Sequence, residues 1–205
     1  MNYEKFRQTF SKNEYIRLAD ILLHYPNIDR KQLSRWSEVW LLLHPARGLY
    51  VLPERQIDRE WMMIFSHGLV NPSYISLEYA LSYYGLIPEE AVVITAITTK
   101  KTQSYDLGWF GRYRYQSIVE RWFVGYSIRG LKGRATYDIA TPAKAIVDFL
   151  YLHGSYMTSE DFEEWRINTY EVPEQVTPEE LRNLASYFRN KRLTMQVESF
   201  ISFIW

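Results

Sequence analysis

The chain contains no cysteine among its 205 residues, which removes disulfides, thiolate nucleophiles and cysteine-based zinc sites from consideration. It also lacks an excess of either charge. Its 24 Lys and Arg balance 24 Asp and Glu, so nothing in the total draws it toward nucleic acid, membrane or an acidic substrate. No apolar run approaches the ~18 to 20 residues that a membrane helix needs. The opening Met1-Asn-Tyr-Glu-Lys-Phe6 lacks the basic-then-apolar order of a signal peptide, so a cytoplasmic location without membrane contact is the expectation. Glycine is sparse. Gly108, Gly111, Gly125, Gly130 and Gly133 fall in hairpin turns or strands and build no phosphate loop of Walker or dinucleotide type. His24, His44, His67 and His153 lack the i, i+4 spacing of a metal helix, so neither metal nor cofactor is expected. What the chain has in quantity is apolar side chains, 47% of residues with 17% aromatic, enough for a substantial core.

Residues 1–53 read as three helices and a hairpin. Tyr3, Phe6 and Phe10 share one helical face, and Leu18, Ile21, Leu22 and Tyr25 share a second, ended by Pro26. Asp29 suits the cap of a third helix with apolar side Leu33, Trp36 and Trp40. Trp40 to His44 and Leu49 to Leu52 then look like strands joined by Pro45-Ala-Arg-Gly48. Three helices followed by a two-stranded wing is the winged-helix order, in which the third helix can enter a major groove. Arg30, Lys31, Gln32, Ser34 and Arg35 occupy the polar faces of that helix. Arg and Gln can read base edges there, while Lys and Ser hold phosphates and Arg47 at the wing tip reaches the backbone or a minor groove. The same features suit a protein-interaction module on a solvated helix. Eight basic against five acidic residues in this stretch is a modest excess, so a homodimer on DNA or a second basic surface is expected to contribute.

Residues 54–205 read as a second, α+β domain. Ile57, Trp61, Ile64 and Phe65 mark a helix ending near Gly68; Ser76 suits the cap of another that carries Leu77, Ala80, Leu81 and Tyr84 and stops at Gly85. Strands follow at Val92–Thr99, Arg112–Ile118, Trp122–Arg129 and Arg134–Ala140, whose short links favour a largely antiparallel sheet packed by helices. Thr141-Pro142 opens a helix with buried stripe Ala143, Ile146, Val147, Leu150 and Tyr151. From Lys100 to Arg134 there are eight basic and two acidic residues. Lys100, Lys101, Arg112, Arg114, Arg129 and Arg134 are candidates for phosphate or partner contact, unless they only guard exposed strand edges. From Thr158 to Glu180 the balance reverses to eight acidic and one basic, a stretch suited to water, a basic protein or a second copy. Thr158 and Thr177 suit further helix caps, and the apolar Ile201-Ser-Phe-Ile-Trp205 is expected to dock on the core. Lys144 and Asp148, one helical turn apart, are the only pair that suggests acid–base chemistry, and an ordinary ion pair has the same spacing.

Several motifs occur in an order that resembles the AbiEi antitoxins of bacterial abortive-infection toxin–antitoxin systems. These are Leu33-Ser-Arg-Trp36 followed by Arg47-Gly-Leu-Tyr-Val-Leu-Pro53; Pro72-Ser-Tyr-Ile-Ser-Leu-Glu-Tyr-Ala-Leu-Ser-Tyr-Tyr-Gly-Leu86; Phe110-Gly-Arg-Tyr-Arg-Tyr115; and Ala140-Thr-Pro-Ala-Lys-Ala-Ile-Val-Asp148. Coverage is about residues 15–153. The resemblance implies a DNA-binding N-terminal domain that represses its own operon by binding operator DNA. It also implies a C-terminal domain that neutralises a nucleotidyltransferase-like toxin, with no enzymatic activity of its own. Carried over, Arg30, Lys31, Ser34 and Arg35 are the recognition-helix contacts and Arg47 the wing contact. One departure stands out. Relatives have a basic, glycine-ended turn after the Ser-Arg-Trp helix, whereas Ser37-Glu-Val-Trp-Leu41 is acidic and apolar, which allows weakened, altered or lost DNA binding.

Overall fold

A computed structural model of the chain describes residues 2–153 and 157–205. Met1 and residues 154–156, which belong to the expected N-terminal and C-terminal stretches, lie outside them. The N-terminal unit runs α1 (Tyr3–Phe10), β1 (Ile16–Arg17), α2 (Leu18–His24), α3 (Arg30–Glu38), β2 (Leu43–Ala46) and β3 (Leu49–Val51). Its strands form a small antiparallel sheet of order β1-β3-β2. Strand β1 is an addition to the elements expected, too short to carry a period of its own.

The hairpin differs from expectation for a local reason. Trp40 neither extends the apolar side of α3 nor starts a strand; it is 72% exposed with φ +60°. It closes the helix: the Leu41 amide donates to the Trp36 carbonyl (2.9 Å) and the Trp40 amide to that of Ser37 (3.2 Å). That pattern places Trp40 at the left-handed position usually held by glycine. The first strand of the hairpin is therefore delayed to Leu43.

Strand β3 has a core on each side. With period two, Tyr50 and Leu52 join Phe6, Phe10, Ile16, Ile21, Leu33 and Trp36 beneath the three helices. Leu49 and Val51 point the other way, into the large core of the rest of the chain. The same seam is reinforced by Tyr15, edge-on to Phe65 at 5.6 Å, and by the Trp61 indole N–H, which donates to the Glu14 carbonyl at 2.8 Å. Gly68 makes the approach possible, because a Cβ there would lie 2.8 Å from the Tyr15 ring.

Beyond residue 53 come α4 (Arg59–Leu69), β4 (Ser73–Ile75), α5 (Leu77–Tyr83), β5 (Val93–Thr98), β6 (Gln103–Asp106), β7 (Arg112–Ser117), β8 (Tyr126–Arg129), β9 (Tyr137–Ala140) and α6 (Pro142–Leu152). The helices α7 (Ser159–Glu164), α8 (Glu171–Gln175), α9 (Pro178–Phe188) and α10 (Lys191–Ile204) follow. The strands make one six-stranded sheet of order β6-β7-β5-β4-β9-β8. Three pairings are antiparallel, but β5–β7 and β4–β9 are parallel. The chain leaves β5, lays β6 one place further out, and returns with β7 into the gap, which a short link between β5 and β7 could not do. The fold is α+β, with a mixed sheet packed by helices.

Helix α5 begins at Ser76 and Gly85 ends it with φ +70°, as the pattern predicts. Its cap is a different atom. The Ser76 hydroxyl donates to Asp148, while Thr95 on β5 accepts from the Tyr79 amide (3.0 Å) and donates to the Ser76 carbonyl (2.6 Å). Capping boxes at Thr158 and Thr177 occupy Asp161 and Glu180, two of the acids in the 158–180 stretch. At the end of the chain Ile201 is buried, but Trp205 is 49% exposed, so the docking expected of the last five residues is partial.

Candidate nucleic-acid interface

Helix α3 is held from both ends and one side. The Asp29 carboxylate accepts from the Lys31 amide at 2.9 Å, Leu33 and Trp36 are buried, and Trp36 packs at 5.0 Å from Phe6 and 5.3 Å from Tyr3. Opposite that stripe Lys31, Ser34, Arg35 and Glu38 follow the i, i+3, i+4, i+7 rule and are all exposed. Arg30 and Gln32 flank this face. Arg30 is close enough to Tyr50 on β3 to favour its phenolate, against burial that raises the phenol. Gln32 is half-buried beside a cleft lined by Lys5, His24 and Tyr25. Of the five expected α3 contacts, three therefore share one outward face.

Arg47 is exposed in the two-residue turn between Ala46 and Leu49, where Gly48 takes φ +75°. Arg30, Lys31, Arg35 and Arg47 make no ion pair among the described residues, in contrast to Arg7 and Arg17, which are held by Glu4, Glu54 and Asp20. Against these free cations stand Glu38 on the same face and the exposed Val39-Trp40-Leu41 at its end.

The second basic surface divides. Arg112 and Arg114 project from β7 to one side while Tyr113 and Tyr115 are buried on the other, their hydroxyls donating to the Phe110 and Ser66 carbonyls at 2.7 Å. Lys100 and Lys101 are exposed nearby in the chain, between β5 and β6. Arg129 lies on β8, at the opposite edge of the sheet, four strand spacings or about 19 Å from β7. It forms no common surface with Arg112 and Arg114.

Arg134 is not the free cation expected of this stretch. Its guanidinium donates to Glu14 (2.9 and 3.2 Å), Asp58 (2.7 Å) and Glu60 (3.3 Å), so it is enclosed by three carboxylates and offers nothing to a phosphate. Glu14 itself is 6% exposed, with Arg55 3.7 Å away. Counting charge along the chain could not find this cluster, because Glu14 and Arg134 are 120 positions apart.

Lys144 and Asp148 offer no reacting surface. Both are fully buried in α6, 2.5 Å apart, with Asp148 also accepting from Tyr74 and Ser76 at 2.9 Å. The ammonium lies over Phe188 at 4.6 Å. Burial raises the Asp148 carboxyl above the usual carboxylate range, with Lys144 pulling it down. His67 is a second internal group: its Nε2 accepts from the Asp138 amide at 3.1 Å, and burial holds the imidazole below its ordinary value despite the Asp138 carboxylate.

Among the described residues no cluster of His, Asp and Glu is arranged to hold a metal, and no helix is long and apolar enough to cross a membrane. No protein-family model matches the chain, and no curated protein matches its sequence.

Proposed function

We propose that the chain is a DNA-binding autoregulator and antitoxin: the N-terminal unit acts as a winged helix on operator DNA, and the remainder counteracts a nucleotidyltransferase-like toxin in the cytoplasm. The observation that carries the DNA half is the set of cations without an ion pair among the described residues, Lys31, Arg35 and Arg47, on the outward face of α3 and the tip of the adjacent hairpin. The strand order β1-β3-β2 behind three helices is the arrangement a winged helix requires, and it supports that reading. The antitoxin half is supported by the ordered motifs alone. The protein acts by binding rather than catalysis in this reading.

The test is fluorescence anisotropy on the full chain with duplex from upstream of its own gene and with random duplex. The upstream duplex should bind more tightly and the affinity should fall steeply with salt. Arg35→Ala and Arg47→Ala should each weaken binding about tenfold, a loss of roughly 1 to 3 kcal/mol. Equal affinity for both duplexes would sink the repressor half.

A second reading is favoured by Glu38 and by the exposed Trp40: the N-terminal unit contacts protein rather than DNA. Full-chain Arg35→Glu with Arg47→Glu separates the two. On the first reading it abolishes repression; on the second, repression is absent from the start and protection against the co-expressed toxin persists.

A further inference from the structure

A cavity of about 740 Å³ opens where β5 and β7 end, lined by Pro72, Lys100, Ser117, Glu120, Trp122 and Tyr151 among others. These two strands are parallel neighbours, with Thr98 opposite Ser117 at their carboxyl ends. This volume is in the range of small-molecule sites.

The lining is chemically unequal from one part to another. Lys100 brings an exposed ammonium without an ion pair, Ser117 a hydroxyl without a partner among the described residues, and Glu120 a carboxylate. Trp122 brings something less common. It is 7% exposed, and its indole Nε1 is buried with no hydrogen-bond partner among the described residues. The ring is packed on several sides: Phe188 stacks on it at 4.8 Å, Tyr151 meets it edge-on at 5.0 Å and the Arg121 guanidinium lies over it at 5.1 Å. A buried donor left unmet is costly, and this one belongs to a side chain of the cavity wall.

We propose that this cavity is a binding site for a free nucleoside monophosphate. The phosphate takes Lys100 and the Ser117 hydroxyl, the planar base lies along Pro72 and Tyr151 with an acceptor toward Trp122, and Glu120 accepts from a ribose hydroxyl or an exocyclic amine. A cation, an apolar and aromatic wall, and one donor with one acceptor for polar edges are the complement of that ligand class. The site is in the second unit and stands independently of the DNA reading.

The experiment uses the full-length chain, isotopically labelled, with the Trp122 indole resonance assigned by Trp122→Phe. AMP, GMP, CMP and UMP are each titrated to about 1 mM, with inorganic phosphate as a separate arm. At least one nucleotide should shift the Trp122 indole N–H saturably and with 1:1 stoichiometry. Lys100→Gln, at an exposed position, should weaken it at least tenfold, while Arg35→Ala leaves it unchanged. The proposal is overturned if no nucleotide moves that resonance, if Lys100→Gln binds as well as the parent chain, or if inorganic phosphate binds as tightly as the nucleotides.

Discussion

Trp40 carries two costs at once, since it exposes a large apolar ring and it occupies a left-handed backbone position. Left-handed backbone costs a side-chain-bearing residue roughly 1 to 2 kcal/mol, offset in part by the greater chain entropy that glycine loses on folding. Trp40→Gly should accordingly stabilise the protein by about 0.5 to 1 kcal/mol, read as a rise of roughly 2 °C in Tm by differential scanning calorimetry. A lower Tm would show that the indole makes a stabilising contact in solution. His67 has a different dependence. Its folded-state value is depressed, so below the ordinary histidine value of about 6.5 the unfolded chain binds the proton more readily. Its contribution to stability is present above that value and is lost as pH falls through it toward the folded-state value. Thermal unfolding followed from pH 8 downward should show Tm falling in that window, and His67→Gln should flatten the curve.

At the scale of elements, helices were the most legible part of the chain. Asp29, Thr141, Thr158 and Thr177 each cap the helix they were expected to cap, because a short polar side chain next to an apolar 3.6-residue stripe is a local signal. Helix α5 shows the limit of such reading. Ser76 marks its start, yet the cap is provided by Thr95 across the strand, nineteen positions away. Thr95→Val should cost about 2 kcal/mol by denaturant titration, since it strands the Tyr79 amide and the Ser76 carbonyl in a dry interior. A loss below roughly 0.5 kcal/mol would mean that water reaches them. The parallel partners β5 and β7 were illegible for a related reason: periodicity marks a strand but not its neighbour. In the candidate DNA interface, Lys31, Ser34 and Arg35 could be placed on one face from spacing, whereas the exposure of Trp40 depended on how the helix terminates.

The whole molecule turns on charges that sequence proximity hides. Arg134 looked free in a basic stretch, but Glu14, Asp58 and Glu60 converge on it from both units. Arg134→Gln leaves the buried Glu14 carboxylate with Arg55, 3.7 Å away, as its ion-pair partner among the described residues. Removing one partner of a buried ion pair costs roughly 3 to 5 kcal/mol, so about 2 to 3 kcal/mol is expected here, where the arginine is partly exposed. Urea unfolding of the two chains would measure it, and a change under roughly 0.5 kcal/mol would show that the contact is solvent-screened.

Strand β3 sets the terms on which the two units can act separately. With Tyr50 and Leu52 facing one core and Leu49 and Val51 the other, a cut after residue 53 would leave an uncovered apolar wall on each fragment. Neither unit is then free to unfold or to be exchanged alone: the chain should melt in a single transition, and replacing one half succeeds only when the residues facing both sides of that strand travel with it.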